Sequence, residues 1–152
     1  MPAKLPLNDR TRLQHATIEA AFYLALAMLL THELDAVANH EWRVIPLLRL
    51  LPDDQGMIVF VASHILLFAG VIAAIASQNH KVRYFSRLVI CTFLIIHAGL
   101  HYGFSSDPAY EFDAILSVIL IYGGAAISTL YLLLDRVVFR LFGAAATQDK
   151  TS

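Results

Sequence analysis

The sequence predicts an all-α fold, an integral membrane bundle of four helices. Hydrophobic residues make up 58% of the 152 residues and charged residues only 15%, whereas a soluble domain carries about 25% charged residues. A helix that crosses a membrane needs about 20 mainly apolar residues and satisfies its own backbone hydrogen bonds in lipid. Four apolar segments reach that length, at about 16–36, 57–77, 85–104 and 110–134.

The distribution of positive charge predicts the orientation of the bundle. Of the 11 Lys and Arg residues, only Arg43 and Arg49 fall on one side of the predicted membrane. Because Lys and Arg accumulate on the cytoplasmic side of membrane proteins, both termini are expected in the cytoplasm, with the bundle in a bacterial inner membrane. Residues 1–15 and 139–152 are then cytoplasmic tails that flank a membrane domain of residues 16–138.

Charge and cysteine content exclude several classes of protein. The net charge is −1, so the sequence has none of the basic excess that is typical of nucleic-acid binding. Cys91 is the only cysteine, which excludes an intrachain disulfide and a zinc site built from several thiolates.

The end of the first apolar segment holds a dense group of ionisable residues, between Thr31 and Arg43. Ionisable side chains at the end of a membrane helix are costly, so they indicate a functional site. With the predicted topology, all four helices place His or carboxylate residues within about 10 Å of the same membrane face. These residues are His32, Glu33, Asp35 and His40 in the first helix, His64 in the second, His97 and His101 in the third, and Glu111 and Asp113 in the fourth.

This set of side chains predicts a divalent metal site. His97 and His101 are four residues apart, so both imidazoles project from one face of the third helix. Imidazole suits zinc and iron, and carboxylates can complete the coordination; zinc is preferred and iron is the second choice. The preferred ligands are His64, His97 and His101, with His32 or Asp35 as a fourth. The candidates to orient a ligand or to act as a general base are Glu33, Asp113 and Ser63.

Each polar residue also has a purely structural interpretation. A single His64 on an apolar helix is often a hydrogen-bonded contact between helices. His40, Glu41 and Arg43 can form a charge cluster near the lipid headgroups, and Glu111 can favour a helix N-terminus through the macrodipole. On this interpretation the whole set is a salt-bridged polar cap that locks the bundle.

Two short motifs carry a resemblance to known proteins. The motifs His32-Glu33-Leu34-Asp35 and His40-Glu41-Trp42-Arg43 resemble a family of small, uncharacterised four-helix bacterial membrane proteins, which implies the fold but no activity. The site chemistry is also similar to the seven-helix zinc hydrolases that include alkaline ceramidases and adiponectin receptors. There, one His from an early helix and an HxxxH pair from a late helix hold zinc, which implies these roles for His64, His97 and His101. This chain departs from that pattern in having four helices, and in having Ser63 directly beside His64.

The function expected from this site is metal-dependent catalysis, as a zinc hydrolase that acts on a lipid or another apolar substrate. One alternative is a redox protein with non-covalent haem, ligated by two of His32, His64 and His97. Another is a non-enzymatic accessory subunit or metal carrier. Besides the lipid bilayer, a second copy of the chain is an expected partner, through the small-residue patterns Gly99-x-x-x-Gly103 or Gly124-x-x-x-Ser128.

Overall fold

The computed structural model describes the backbone of residues 9–148 and the side chains of residues 12–136, and this part of the chain contains helices and no strand. The first three membrane crossings are α1 (Asp9–Ala38), α2 (Asp53–Ile75) and α3 (His80–Phe104). The last crossing joins α4 (Ile115–Val118), a π-helical turn (Ile119–Gly123) and α5 (Gly124–Gln148). All four crossings are long and apolar enough to span a membrane, which confirms the predicted fold class.

The helices alternate in direction, so their connections lie at two faces. The connections 39–52 and 105–114 lie at the face where α1 ends, which we call the site face. The short connection 76–79 lies at the opposite face, where α1 begins. The three helices α1, α2 and α3 begin at residues 9, 53 and 80, whereas hydropathy predicts residues 16, 57 and 85. Hydropathy misses these first turns because they are polar.

The helices α1, α3 and α5 pack against one another and form the core of the bundle. Phe22, Leu94 and Tyr131 are almost fully buried in this core, together with Cys91. In contrast, α2 packs mainly on α3 and on the connection that precedes it. Only 6% of the apolar stretch of α2 is buried, against 33% for α1. The peripheral helix α2 therefore presents most of its apolar surface to lipid.

The chain reverses direction after α1 because His40 leaves helical geometry. Its φ of 51° and ψ of 43° are left-handed, a conformation that is uncommon for residues other than glycine but several-fold enriched for His, Asn and Asp. A 3-10 turn, Glu41–Arg43, follows immediately, and a second one, Leu48–Leu50, leads to α2. The reversal carries two side chains of the first turn, those of Glu41 and Trp42, into the interior.

The fourth crossing begins later than the sequence predicts. Hydropathy predicts a helix over 110–134, but residues 110–114 are not helical and α4 starts directly after them. The ring of Phe112 accounts for the difference, because it is buried and packs against His32 and His101 at centroid distances of 5.7 and 4.7 Å. Burial of an aromatic ring stabilises this irregular segment in place of another helical turn.

The two small-residue patterns have different positions in the fold. Gly124 and Ser128 are buried, and a Cβ on Gly124 would lie only 3.3 Å from the side chain of Leu94. This pattern therefore serves packing within one chain. Gly99 and Gly103 lie on the exposed surface of α3, where a Cβ would meet nothing within 4 Å. Docking of a second copy at that surface stays a prediction.

Candidate metal centre

Three imidazoles and one carboxylate converge near the site face. His32 lies near the end of α1, and Glu41 comes from the 3-10 turn after it. His97 and His101 lie on successive turns of α3. One potential ligand atom from each of these residues lies within 4.8 Å of the others. We call His32, Glu41, His97 and His101 the histidine cluster.

The imidazoles of the histidine cluster meet through their Nε2 atoms. Nε2 of His97 lies 2.9 Å from Nε2 of His32 and 3.1 Å from Nε2 of His101. The Glu41 carboxylate lies 4.0 Å from Nε2 of His32 and 3.5 Å from Nε2 of His101. A neutral imidazole has one N–H and one lone pair. Three rings that converge on one point therefore need protons or a cation between their nitrogens.

A tetrahedral metal ion suits this arrangement. Zinc bonds to imidazole nitrogen at about 2.0–2.1 Å, which places two nitrogen ligands of one tetrahedral ion about 3.3 Å apart. The observed separations of 2.9 and 3.1 Å are close to that value, so a small outward movement of the rings would seat an ion. The histidine cluster is therefore compatible with a metal site in the membrane domain.

The second ring nitrogen of His101 has a partner outside the cluster. Nδ1 of His101 lies 3.2 Å from the hydroxyl oxygen of Tyr110. Burial raises the pKa of Tyr110 to about 12, so the phenol stays protonated and can donate a hydrogen bond to Nδ1 or accept one from an Nδ1–H group. When Nδ1 donates, the Nε2 lone pair is directed at the cluster, as in histidines that bind metals. Nδ1 of His32 is buried, without a hydrogen-bond partner in the described part of the chain.

A group of polar side chains ties the connection after α1 to the rest of the site face. Nδ1 of His40 lies 2.8 Å from Glu111, to which Arg43 donates a hydrogen bond of 3.2 Å. Arg43 also donates two hydrogen bonds to Asp53, of 2.7 and 2.9 Å. The indole Nε1 of Trp42 donates to the same carboxylate at 2.9 Å. We call His40, Trp42, Arg43, Asp53 and Glu111 the outer latch.

Glu41 lies among the latch residues in sequence, but its side chain is turned into the bundle. Burial alone would raise its pKa, but the hydrogen-bonding contact with His101 and the charges of the other imidazoles outweigh burial and hold the pKa of Glu41 below its usual value of 4.5. Its carboxylate is therefore ionised at neutral pH, which is the form that binds metals. The interpretation as an interfacial charge cluster thus describes His40 and Arg43 but not Glu41.

A second polar pair, Glu33 and His64, lies beside the histidine cluster. Nε2 of His64 is 2.8 Å from Oε2 of Glu33, and Nδ1 of His64 is 2.7 Å from the carbonyl oxygen of Phe60. A carbonyl only accepts hydrogen bonds, so Nδ1 carries a hydrogen, and another proton must lie between Nε2 and the carboxyl group. The pair therefore holds one proton more than a neutral imidazole beside an ionised carboxylate.

The cluster and the pair border the same cavity. This cavity has a volume of about 460 Å³ and lies between α2, α3 and the connection that joins α1 to α2. Glu41, His97 and His101 reach its wall from the cluster, and Glu33 and His64 reach it from the pair. An apolar space with a few convergent polar groups is typical of a small-molecule site. The apolar part of the wall includes Val44, Ile45, Leu48, Phe60, Phe93 and Leu100.

The predicted metal ligands fall into two groups in the structure. His32, His97 and His101 lie together in the cluster. His64 lies outside it, paired with a carboxylate instead of another imidazole. Asp35 also lies outside the cluster, with one carboxylate oxygen that is buried and has no hydrogen-bond partner among the described residues.

The residues predicted to orient ligands or move protons are also spread out. Glu33 borders the cavity through its pair with His64. Ser63 lies on the cavity wall, and its hydroxyl donates a hydrogen bond of 2.7 Å to the carbonyl of Phe60. Asp113 is exposed, in the irregular segment before α4. Glu33 and Ser63 therefore border the same cavity as the histidine cluster, whereas Asp113 does not border it.

Sequence reasoning did not include Glu41 among the metal ligands. The residue follows α1 by only a few positions, where a continuing helix would carry it away from His32. Its inward position depends on the left-handed backbone of His40. The sequence signal was the pair Asn39-His40, because Asn and His both favour left-handed geometry and can end a helix.

Fold and site together define a small α-helical membrane protein with four crossings and a buried His/Glu cluster that is compatible with a metal site. Within this class, residues 18–138 match the model of a family described as a family of unknown function (DUF6713), and the chain belongs to that family. This agrees with the expected membership of an uncharacterised family. No curated protein and no solved structure matches the chain. The similarity to zinc hydrolases stays a resemblance in site chemistry.

Proposed function

We propose that this protein is a metal-dependent membrane hydrolase that holds one divalent cation, preferably zinc, in the histidine cluster. The observation that carries the proposal is the convergence of three imidazole nitrogens on one point, at separations of 2.9 and 3.1 Å, with the Glu41 carboxylate beside them. Opposed lone pairs in a buried space are costly unless a cation or protons lie between them. A divalent ion satisfies all the converging groups at once.

The position of the cluster on the cavity wall supports a catalytic role over a purely structural one. Within the cluster, His32 is buried and does not border the cavity, whereas His97, His101 and Glu41 do border it. An ion bound by the three histidines would therefore face the cavity on its remaining side. Three histidines with an open position form a catalytic zinc arrangement. When bound, such an ion lowers the pKa of a water ligand and polarises a carbonyl group.

The Glu33–His64 pair supports the hydrolytic part of the proposal. Hydrolysis of an amide or ester needs a group that gives a proton to the leaving group. The pair borders the same cavity as the cluster and holds the additional proton between Nε2 and the carboxyl group. In the proposed reaction this proton passes to the leaving group and the proton released by the attacking water replaces it, while Glu33 and the Phe60 carbonyl keep the imidazole of His64 in place.

The distances favour zinc over the haem alternative. Two axial histidines must lie on opposite sides of a porphyrin, but the Nε2 atoms of His32 and His97 are 2.9 Å apart and leave no room for it. His64 is already engaged by a carboxylate and a carbonyl group. Imidazole nitrogens with one carboxylate oxygen form a donor set that suits zinc, with iron as the second choice.

Elemental analysis, a visible spectrum and an activity assay on the purified full-length protein test the proposal together. We expect one zinc per chain, a colourless protein, and hydrolysis of a long-chain amide or ester. Glu33→Gln should keep the zinc and lose at least about 100-fold in turnover, the order of a general acid's contribution. The matched control Asp113→Asn, at an exposed carboxylate, should keep both zinc and turnover.

Two outcomes would contradict the proposal. Stoichiometric haem without zinc would favour the redox alternative. Stoichiometric zinc with no hydrolysis of any amide or ester tested, or with equal turnover in wild-type protein and Glu33→Gln, would favour a metal carrier or accessory subunit.

A further inference from the structure

We infer that the groove between α2 and α3 binds the acyl chain of a membrane amphiphile whose polar end faces the histidine cluster. The inference rests on the proposed function, for which it names the substrate class: a long-chain amide or ester drawn from the bilayer. The groove is a second cavity, which differs from the polar cavity in composition and shares Leu67 with it.

The second cavity is an apolar groove of about 620 Å³ between α2 and α3. It extends from the middle of the membrane toward the opposite face, and Leu67 borders both this groove and the polar cavity. Apart from Lys81 at its far end and Ser86, its walls carry only apolar residues and one glycine. Its composition favours a hydrocarbon chain and offers little to a polar ligand.

The two cavities follow the same helix faces. Residues that are three or four positions apart lie on one face of a helix. The residues of α2 that border the cavities advance in these steps, as do those of α3, so the lining residues form one row along each helix, and we call these two rows the seam. Along the seam these residues are Phe60, His64, Leu67, Gly70 and Ala74 in α2, and His101, His97, Phe93, Ile90, Ser86 and Val82 in α3.

The length of the seam suits one acyl chain. The distance along α3 from His97 to Val82 is about 22 Å at the rise of an α-helix. One leaflet of hydrocarbon is about 15 Å thick, half of the total of about 30 Å, and its acyl chains have that reach. A chain that starts at the cluster can therefore lie fully within the groove.

The groove is open sideways to the bilayer. Leu66, Phe85 and Val89 on its walls are 79%, 60% and 65% exposed, and in a membrane this surface contacts lipid. Gly70 leaves further space, because a Cβ at this position would meet nothing within 4 Å. An acyl chain can thus enter from the side without crossing water, and a lipid chain is the abundant apolar molecule at this depth.

Charge and hydrogen-bonding groups set the orientation of the amphiphile. Ionisable side chains converge at the cluster end of the seam, whereas Lys81 is the single ionisable side chain that borders the groove among the described residues. An amide or ester group therefore finds partners at the cluster end. The opposite orientation, with an anionic headgroup at Lys81 and the chain end at the cluster, is an outcome that the experiment distinguishes.

Photo-crosslinking in lipid nanodiscs tests the inference. The probe is a long-chain fatty acid amide with a diazirine at the end of its chain, and the crosslinked residues are mapped by mass spectrometry on the full-length protein. We expect crosslinks near Phe85 and Val89 on the groove wall, because these residues lie about 12 to 18 Å from the cluster along α3, close to the reach of about 15 Å of an acyl chain. Crosslinks near Leu67 and Phe93 would show the opposite orientation, and crosslinks spread over lipid-facing residues such as Ile115 would show general lipid contact; either result overturns the inference.

A variant that fills the groove provides the second measurement. Gly70→Leu should lower the crosslinking yield at least tenfold without changing the metal content, because Gly70 lies on the groove and outside the cluster. Gly99→Leu is the matched control, because it also has open space at Cβ but does not border the groove. Equal yields from both variants would overturn the inference. Crosslinking in the groove of a protein that binds no metal would retain the acyl site and reject the proposed metal-dependent function.

Discussion

The polar side chains at the two ends of the bundle have different partners. At the face opposite the site, Arg87 donates hydrogen bonds to both carboxylate oxygens of Glu19, the longer one 2.9 Å, and its guanidinium lies 4.7 Å from the centre of the Phe22 ring. The hydroxyl of Tyr84 donates to Asp135 at 3.1 Å. Here Arg87 and Asp135 each meet an opposite charge or a hydrogen-bond donor, as expected of a polar cap that joins helices.

The histidine cluster has no Arg or Lys partner among the described residues. Its three imidazoles direct nitrogens at one another, and the one carboxylate among them, that of Glu41, has no Arg or Lys partner among its described salt bridges. The polar residues of the opposite face therefore match the purely structural interpretation, whereas the histidine cluster is also compatible with a bound metal ion.

The removal of one imidazole from the cluster should have the largest effect on metal affinity and on stability. His97→Ala should lower metal affinity at least about 100-fold and reduce the free energy of unfolding, because an ion at about 100 times its Kd stabilises the fold by about 2.7 kcal/mol. A chelator added to wild-type protein should give the same thermal shift. His80→Ala, at the opposite face, is the control and should change neither quantity. Unchanged metal content in His97→Ala would contradict the proposal that the histidine cluster binds a metal ion.

Lowering the pH should weaken metal binding at the histidine cluster. Protons and metal ions compete for the same imidazole nitrogens, so metal affinity should fall as the pH is lowered. The pKa of Glu41 is lowered by folding, so its contribution to stability is present above the unfolded value of 4.5 and is lost as the pH falls below it. Competition titrations with a zinc chelator at several pH values measure the loss of metal affinity. A metal affinity that does not fall at any acidic pH at which the protein stays folded would contradict imidazole ligation.

A substitution at the opposite face should lower the stability of the protein without changing its metal affinity. Arg87→Met removes the hydrogen bonds to Glu19 and the contact with the Phe22 ring, which should lower the free energy of unfolding by about 1–3 kcal/mol. Metal affinity should not change, because the substitution lies at the other end of the bundle. Thermal unfolding and metal titration of the same preparation measure both effects. If the Arg87→Met variant remained folded but lost its metal, the two ends of the bundle would be energetically coupled.

The smallest effect is expected in the outer latch. Glu111→Gln weakens the contacts with His40 and Arg43, but these groups are solvent-exposed, and exposed ion pairs contribute about 0–1 kcal/mol. Metal affinity should change by less than about threefold, since Arg43 keeps its hydrogen bonds to Asp53. A metal titration of the variant is sufficient. A tenfold loss would mean that the latch controls where the Glu41 carboxylate lies.

The fold could be predicted from the sequence because length and hydropathy identify membrane helices directly. The bounds were less accurate where polar turns extend a helix, and at Phe112, where burial of one ring replaces a helical turn. For the site, the spacing of His97 and His101 places both on one helix face, and the topology places His32 at the same depth. Depth does not give the direction in which a helix face points, so it did not separate His64 from the cluster. The inward position of Glu41 depends on the left-handed backbone of His40, which hydropathy and periodicity do not predict.

The composition of the histidine cluster has a consequence for how the molecule can change. Its members come from α1, α3 and the turn after α1, so α2 supplies none of them. The three-helix core can therefore keep the candidate metal centre intact when α2 changes at positions other than His64 and Asp53, which contact Glu33 and Arg43. Since α2 forms one wall of both the polar cavity and the groove, substitutions at those other positions can alter which molecules fit without changing a member of the histidine cluster.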